Sequence, residues 1–262
     1  MNYSVSNIAW QAEDDKEVYS YMREVGMTGL EIAPTRIFPN SPYDHLDEAG
    51  EWSSRIREEY GFAISSMQSI WYGRNENIFG SDEERQALIE YTKKTVDFAA
   101  VIGCRNLVFG CPRNRNVPEG AEPSVALDFF RILGEYAAES GTVIGMEANP
   151  PIYNTNFIND TVSALELIEQ VDSKGLKLNL DMGTMIANNE DISVLRGKEH
   201  LINHVHISEP GLKPIEKREL HASLADLLSG SGYSGYVSIE VARQEDISRL
   251  KDMISYVIST IR

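Results

Sequence analysis

Short apolar runs and stretches of helical apolar spacing alternate along the whole chain, and this alternation constrains the fold more than any other feature. The apolar runs lie at residues 3–9, 29–33, 63–70, 106–110, 142–147, 177–181, 204–208 and 236–240. Helical spacing occurs at residues 15–25, 82–102, 124–139, 161–170, 217–228 and 246–261. Strands that alternate with helices form a parallel sheet with right-handed crossovers, and eight such units close into a (β/α)8 TIM barrel.

Local signals at the ends of the helical stretches agree with this architecture. Ser81 and Asp160 are predicted helix N-caps. Six glycines lie between a helical stretch and the next strand, where a left-handed cap is expected: Gly26, Gly61, Gly103, Gly141, Gly175 and Gly232. An open doubly wound sheet is the alternative, but no glycine-rich phosphate loop follows the first strand. No linker interrupts the pattern, so one α/β domain over residues 1–262 is predicted.

The charge of the chain narrows the range of partners. It has 24 Lys and Arg against 40 Asp and Glu, a formal net charge of −16. The electrostatic field of this negative charge repels phosphate groups, so nucleic acid and anionic membranes are not expected partners. The two cysteines, Cys104 and Cys111, do not indicate a disulfide framework. Because neither a signal leader nor an apolar run of about 18 residues is present, a cytoplasmic location is expected.

Four side chains that can bind metal each close a predicted strand in the second half of the chain. They are Glu147, Asp181, His206 and Glu240, separated by 34, 25 and 34 residues. The carboxyl ends of barrel strands meet at one face, so these side chains are expected to converge. Three carboxylates and one imidazole suit a single divalent ion, with Mn²⁺, Mg²⁺ or Co²⁺ favoured and Zn²⁺ also accommodated. A cation would also relieve the repulsion among the carboxylates.

The segment His204-Val205-His206 presents two imidazoles to the inside of the barrel, because side chains alternate along a strand. His206 is nearer the carboxyl end and is therefore predicted to be the ligand. His204 lies one layer deeper and is expected to support the ligand or pack in the core. His45 and His200 are predicted to be unrelated to the metal.

At these residues the sequence resembles a known family. The resemblance spans the chain and is carried by GLEIAPTRI at 29–37, LVFGCPRNR at 107–115, GMEANP at 145–150, NLDMGTM at 179–185, HVHISEP at 204–210 and GYSGYVSIEVA at 232–242. These segments resemble the xylose isomerase-like TIM barrels, in the sugar phosphate isomerase/epimerase group that includes tagatose 3-epimerase and inosose dehydratase. The resemblance implies that Glu147, Asp181, His206 and Glu240 bind one metal. It also implies that Glu147 and Glu240 are the catalytic acid/base pair.

The sequence departs from the family pattern at two positions. The epimerases usually carry a His where this chain has Thr184, and an Arg where it has Leu212. Both family positions contact substrate, so the resemblance does not predict a particular ketose-epimerase specificity. The distantly related endonuclease IV uses further histidines for three zinc ions, and the corresponding segments here contain none.

The expected activity is isomerisation or epimerisation of a sugar or sugar phosphate, by proton transfer through an enediolate that the metal stabilises. Two alternatives stay open: a metal-dependent dehydratase of an inosose-like substrate, and a barrel that binds sugar without catalysis. The expected partner is therefore a small sugar, and a homo-oligomer is compatible with the sequence.

Seven further residues are predicted substrate contacts because they lie near strand ends or in the loops that follow them. They are Glu31, Gln68, Arg115, Asn149, Trp10, Trp71 and His221. For several of them a structural role is the alternative. Glu31 could instead pair with Arg36, and the two tryptophans could pack beneath loops. Arg115 would bind a phosphate or carboxylate if it reached the site.

Overall fold

The computed structural model describes residues 1–261, and their strands form one closed parallel barrel in the order of the sequence, from β1 to β8. The strands are β1 Asn2–Ser6, β2 Gly29–Ile32, β3 Ala63–Met67, β4 Leu107–Phe109, β5 Ile144–Met146, β6 Leu176–Asp181, β7 Ile202–Ile207 and β8 Tyr236–Ile239. The predicted barrel is thus confirmed, although several strands are shorter than their apolar runs. That one domain spans residues 1–262 stays a prediction.

The helices pack around the outside of this barrel. They are α1 Asp15–Glu24, α2 Pro34–Ile37, α3 Leu46–Tyr60, α4 Asp82–Ile102, α5 Val125–Glu139, α6 Thr161–Val171, α7 Met182–Asn188, α8 Glu219–Ser231 and α9 Ile247–Thr260. All six predicted helices are present. Helices α2, α3 and α7 were not predicted from the sequence.

Helix α3 was not predicted because the side chains on its buried face form only a weak apolar stripe. Its buried residues are Ala49, Ser53 and Ile56, so the stripe contains one large apolar side chain. Gly50 also lies inside this helix, where glycine costs helix stability. A Cβ on Gly50 would lie 3.2 Å from Val101 of α4, so the glycine allows the two helices to approach closely.

The predicted N-caps are confirmed, since Ser81 and Asp160 each accept a backbone hydrogen bond from the first turn of their helix. Five of the six predicted glycine caps have positive φ, but Gly175 does not. Asp172 takes the left-handed position at the end of α6 instead, with φ of 50°. Gly175 is required for a different reason: a Cβ there would collide with the Gly134 carbonyl of α5.

The inside of the barrel is polar near its carboxyl end. Glu31, Asn179, His204 and His206 project there with at most 1% of their surface exposed. The strand register places Asp181 beside His206, and His206 beside Ser238. Among residues 1–261 no helix has the length and apolarity that crossing a bilayer requires. Both cysteines are free.

Candidate metal centre at the mouth of the barrel

Four residues at the carboxyl ends of β5 to β8 converge on one point. One ligand atom from each of Glu147, Asp181, His206 and Glu240 lies within 4.8 Å of the others. His206 Nδ1 lies 3.1 Å from Glu147 Oε2 and 3.2 Å from Glu240 Oε2. Adjacent ligands of an octahedral ion with bonds of about 2.1 Å are about 3.0 Å apart. The donor set therefore fits one divalent cation in both chemistry and spacing.

The carboxylate of Glu147 is fixed by two amides. Asn149 Nδ2 donates to Oε1 at 3.2 Å, and Asn179 Nδ2 donates to Oε2 at 2.8 Å. Gly110, which follows β4, leaves the space that this carboxylate occupies, because a Cβ there would collide with Glu147 Oε1. Glu147 is therefore held in place by its neighbours.

Asp181 ends β6 and is also the N-cap of α7. Its Oδ1 accepts from the Thr184 backbone N–H at 2.5 Å, and its Oδ2 accepts from Ser208 Oγ at 2.6 Å. Thr184, which stands where the epimerases usually have His, donates its hydroxyl to the Ala148 carbonyl at 2.7 Å. Thr184 is 2% exposed, so it joins two strand ends and does not face the cavity described below.

Glu31 supports the imidazole of His206 from below. A single oxygen, Glu31 Oε2, lies 2.8 Å from His206 Nε2 and 3.1 Å from His204 Nε2. Each ring nitrogen is placed to donate to it, which leaves His206 Nδ1 facing the carboxylates. A carboxylate behind a histidine ligand fixes the tautomer and orientation of the ring. Glu31 does not pair with Arg36, which binds Asp15 at 2.6 Å.

The charges at this site shift the pKa values of its members. Burial, together with the nearby charge of Glu147, raises the pKa of Asp181 to about 6. Burial also raises the pKa of Glu240 to about 7, although His206 opposes the shift. For His206 burial lowers the pKa, but Glu31 and Glu240 outweigh it and raise the pKa well above its usual value. In the metal-free protein, protons therefore supply part of the positive charge that a bound cation would provide.

Arg115 occupies a different position from the one predicted for it. Its side chain is fully buried, donating from Nη1 to the Glu147 carbonyl at 2.9 Å and from Nη2 to the Ile158 carbonyl at 3.3 Å. Burial lowers the pKa of this guanidinium to about 10, so it stays charged at neutral pH. Arg115 therefore anchors the backbone at Glu147 and is not available to bind substrate.

A cavity of about 150 Å³ opens above the cluster. Its lining consists of Gly110, Pro112, Glu147, Asn149, Tyr153, Asp181, Ser208, Glu209, Leu212 and Glu240. Glu209 and Tyr153 were not predicted from the sequence to line a cavity. Glu209 directly follows the segment HVHIS, and its position after β7 could have identified it. Tyr153 lies in a loop, and no sequence pattern indicates that it faces the cavity. Arg218 holds Glu209 through two hydrogen bonds of 2.7 and 2.6 Å.

Of the other predicted contacts, only Asn149 lines this cavity. Trp10 and Trp71 are 1% and 3% exposed, and their indole N–H groups donate to Asp15 and Thr92. Both tryptophans pack among the helices outside the barrel. A side chain that follows a strand end can point outward as well as into the barrel. Gln68 is buried and donates to Ser6 Oγ at 3.0 Å. His221 is buried on α8, with Nδ1 3.0 Å from the Tyr256 hydroxyl.

The sequence also matches a family model, described as "Xylose isomerase-like TIM barrel", over residues 20–257. The chain belongs to this family. No curated protein matches the sequence at a significant level. Solved structures of the xylose isomerase-like fold match over nearly the whole chain.

Among the matching structures are two sugar epimerases and one AP endonuclease. The 3-keto-D-glucoside 4-epimerase YcjR from E. coli is 21% identical, with a TM-score of 0.77 over 99% of both chains. The D-psicose 3-epimerase from Clostridium cellulolyticum, solved with D-tagatose, is 14% identical, with a TM-score of 0.78 over 100% of both. An AP endonuclease of family 2 from Brucella melitensis is 16% identical, with a TM-score of 0.75 over 100% of both. At these identities the likeness establishes the shared fold.

Proposed function

We propose that this protein is a divalent-metal-dependent sugar isomerase or epimerase that transfers a proton at the carbon beside a carbonyl group. The observation that carries the proposal is the convergence of Glu147, Asp181, His206 and Glu240 within 4.8 Å beneath a cavity. Two of the structural neighbours are named sugar epimerases, which supports the same reaction class.

Glu147, Asp181, His206 and Glu240 would hold the metal. A bound divalent ion supplies Lewis-acid chemistry, which makes a proton next to a carbonyl easier to remove. Mn²⁺, Mg²⁺ or Co²⁺ suits three carboxylates and one imidazole. We propose a single ion. The second group of potential ligands, Glu31, His204 and His206, shares His206 with the first, and both of its imidazoles already lie within hydrogen-bond distance of Glu31 Oε2.

Glu147 and Glu240 are proposed as the acid/base pair, since both line the cavity. A carboxyl group whose pKa lies near neutrality can both accept and return a proton, and the pKa of Glu240 is raised to about 7, chiefly by burial. Asn149 is proposed to orient the sugar. Its Oδ1 is buried without a hydrogen-bond partner, so a hydroxyl group of a ligand would satisfy it.

The charge of the cavity favours an unphosphorylated sugar. Four carboxylates, from Glu147, Asp181, Glu209 and Glu240, contribute to the lining, and no Lys, Arg or His side chain does among residues 1–261. Leu212 lines the cavity at the position where the epimerases usually have Arg. The negative charge of these carboxylates would repel a phosphate dianion, and we therefore propose that the substrate is a neutral sugar. Cytoplasmic location and oligomeric state stay predictions.

Solvent-deuterium exchange tests this function. The protein, loaded with Mn²⁺, is incubated in D₂O with a panel of ketoses and their phosphates, and carbon-bound deuterium is measured by mass spectrometry. We expect incorporation beside the carbonyl of a free ketose, because proton abstraction precedes either isomerisation or epimerisation. A dehydratase would in addition produce an unsaturated carbonyl that absorbs in the ultraviolet. Absence of carbon-bound deuterium across the panel with metal bound would contradict the proposal.

Metal binding is expected to stabilise the protein more at about pH 8 than at about pH 5.5, because metal ligands must be deprotonated. The pKa values of Asp181 and Glu240 are raised to about 6 and about 7, and the pKa of His206 is also raised. At the lower pH these groups hold protons that the ion must displace, so its affinity and its stabilising effect fall. The measurement is the increase in Tm on adding Mn²⁺ at each pH. An equal increase at both pH values would show that these groups do not bind the metal.

A further inference from the structure

We propose that a cleft at the opposite, amino-terminal face of the barrel binds a small phosphate-bearing molecule. The cleft has a volume of about 1390 Å³ and is built from the first residues of β1, β3, β7 and β8, together with the loops that follow α4 and α8. It is far larger than a phosphate ion, so an organic group attached to the phosphate would also fit.

Three arginines, Arg57, Arg105 and Arg196, line this cleft. All three are exposed, and none has a side-chain hydrogen bond or ion pair with any part of the chain that the structure describes. Some arginines outside the cleft are paired, as Arg36 is with Asp15 and Arg218 with Glu209, while exposed ones such as Arg55 have no partner among the described residues. Arg57, Arg105 and Arg196 differ from Arg55 in that they line one cleft together. Unpaired guanidinium groups that share one concave surface are suited to bind a phosphate through paired N–H donors.

The local charge is opposite to that of the whole protein. Besides the three arginines and two histidines, His200 and His204, the lining contains two acidic side chains, Glu199 and Asp226. The formal charge of the lining is therefore positive even with both histidines neutral, whereas the chain carries −16. The long-range field repels extended polyanions such as nucleic acid, but a small anion that reaches the cleft meets an excess of cations.

Capping of helix ends does not account for these arginines. Near the ends of α4 and α8, which reach this face, the carbonyl groups of Ala99 and Leu228 are already occupied by backbone donors. Cys104 N–H donates to Ala99 at 2.9 Å, and Tyr233 N–H donates to Leu228 at 3.0 Å. The guanidinium groups are thus left free for a ligand.

A second observation at this face also points to a ligand. Ser65 lines the cleft, is 5% exposed, and its buried hydroxyl has no hydrogen-bond partner among residues 1–261. Buried polar groups are nearly always paired, either with protein or with a bound molecule. A phosphate held by the arginines would supply acceptor oxygens next to this wall of the cleft.

The test is isothermal titration with inorganic phosphate and with ribose 5-phosphate, at constant ionic strength and with ribose as the unphosphorylated control. We expect saturable binding of the two phosphate compounds at one site per chain, and no binding of ribose that depends on Arg105 or Arg196. Arg105→Gln and Arg196→Gln should each weaken binding about tenfold, as expected for loss of one charge-assisted contact. Arg105→Lys and Arg196→Lys should retain more affinity than the Gln variants, because they keep the charge.

Arg55→Gln is the matched control, since Arg55 is an exposed residue of α3 that does not line the cleft. It should bind phosphate as the unaltered protein does. The proposal is overturned if no saturable binding occurs below about 10 mM, or if Arg55→Gln weakens binding as much as Arg105→Gln does. It is also overturned if the Gln variants bind normally, because phosphate would then occupy the metal centre or another site.

Discussion

Glu240→Gln is expected to lower the rate of deuterium incorporation by about 10²–10⁴-fold, the usual contribution of one positioned acid/base group. The substitution keeps the size of the side chain and one oxygen that can bind metal, but its amide neither accepts nor returns a proton at neutral pH. The measurement is the initial rate of incorporation into the ketose that exchanges, at an Mn²⁺ concentration that saturates each variant.

Metal occupancy must be followed alongside, because Glu240 Oε2 also lies 3.2 Å from His206 Nδ1 within the ligand cluster. Titration of Mn²⁺, followed by electron paramagnetic resonance, separates weaker metal binding from loss of proton transfer. Glu245→Gln is the matched control, because it removes the same charge from an exposed residue that lies between β8 and α9. It should exchange deuterium at the unaltered rate. Normal exchange by metal-saturated Glu240→Gln would remove Glu240 from the acid/base role and leave it as a ligand.

The barrel and the convergence at its mouth could be predicted because both follow from short-range patterns. Apolar runs define the strands, parallel strands end at one face, and polar residues at those ends therefore meet. Asp181 and His206 are 25 positions apart in the sequence and adjacent in the strand register. Helix α3 was missed because small side chains on its buried face produce no clear apolar period.

The partners of individual side chains could not be predicted, because they depend on contacts between distant segments. Arg115 was expected in a loop facing substrate, but it is buried and binds the carbonyl of Ile158, 43 residues away. Trp71 follows β3 and turns outward, where it packs against Phe109 and Phe129. The sequence specifies that a polar or aromatic residue lies at a strand end, while the direction of its side chain is set by packing.

Glu31 is the most informative case, since it lies 175 residues from His206 in the sequence. It was expected to contact substrate, but the structure buries it completely beneath His206. We expect Glu31→Gln to weaken Mn²⁺ binding about 10–100-fold, the usual effect of removing a carboxylate behind a histidine ligand. The amide can still accept one hydrogen bond from His206 Nε2, but it lacks the charge that makes the imidazole a stronger ligand. Glu31→Leu, which removes the acceptor altogether, should weaken binding further.

His204→Gln distinguishes a role in positioning His206 from a general role in the stability of the barrel. His204 shares Glu31 Oε2 with His206 and is equally buried, but it is absent from the cluster at the mouth. If Glu31 acts through His206, then Mn²⁺ affinity should fall much more in Glu31→Gln than in His204→Gln, even where both lower Tm by similar amounts. If the two variants lose affinity in proportion to their loss of Tm, the effect of Glu31 is on folding. A charged acceptor beneath His206 would then not be needed to hold Nδ1 toward the three carboxylates.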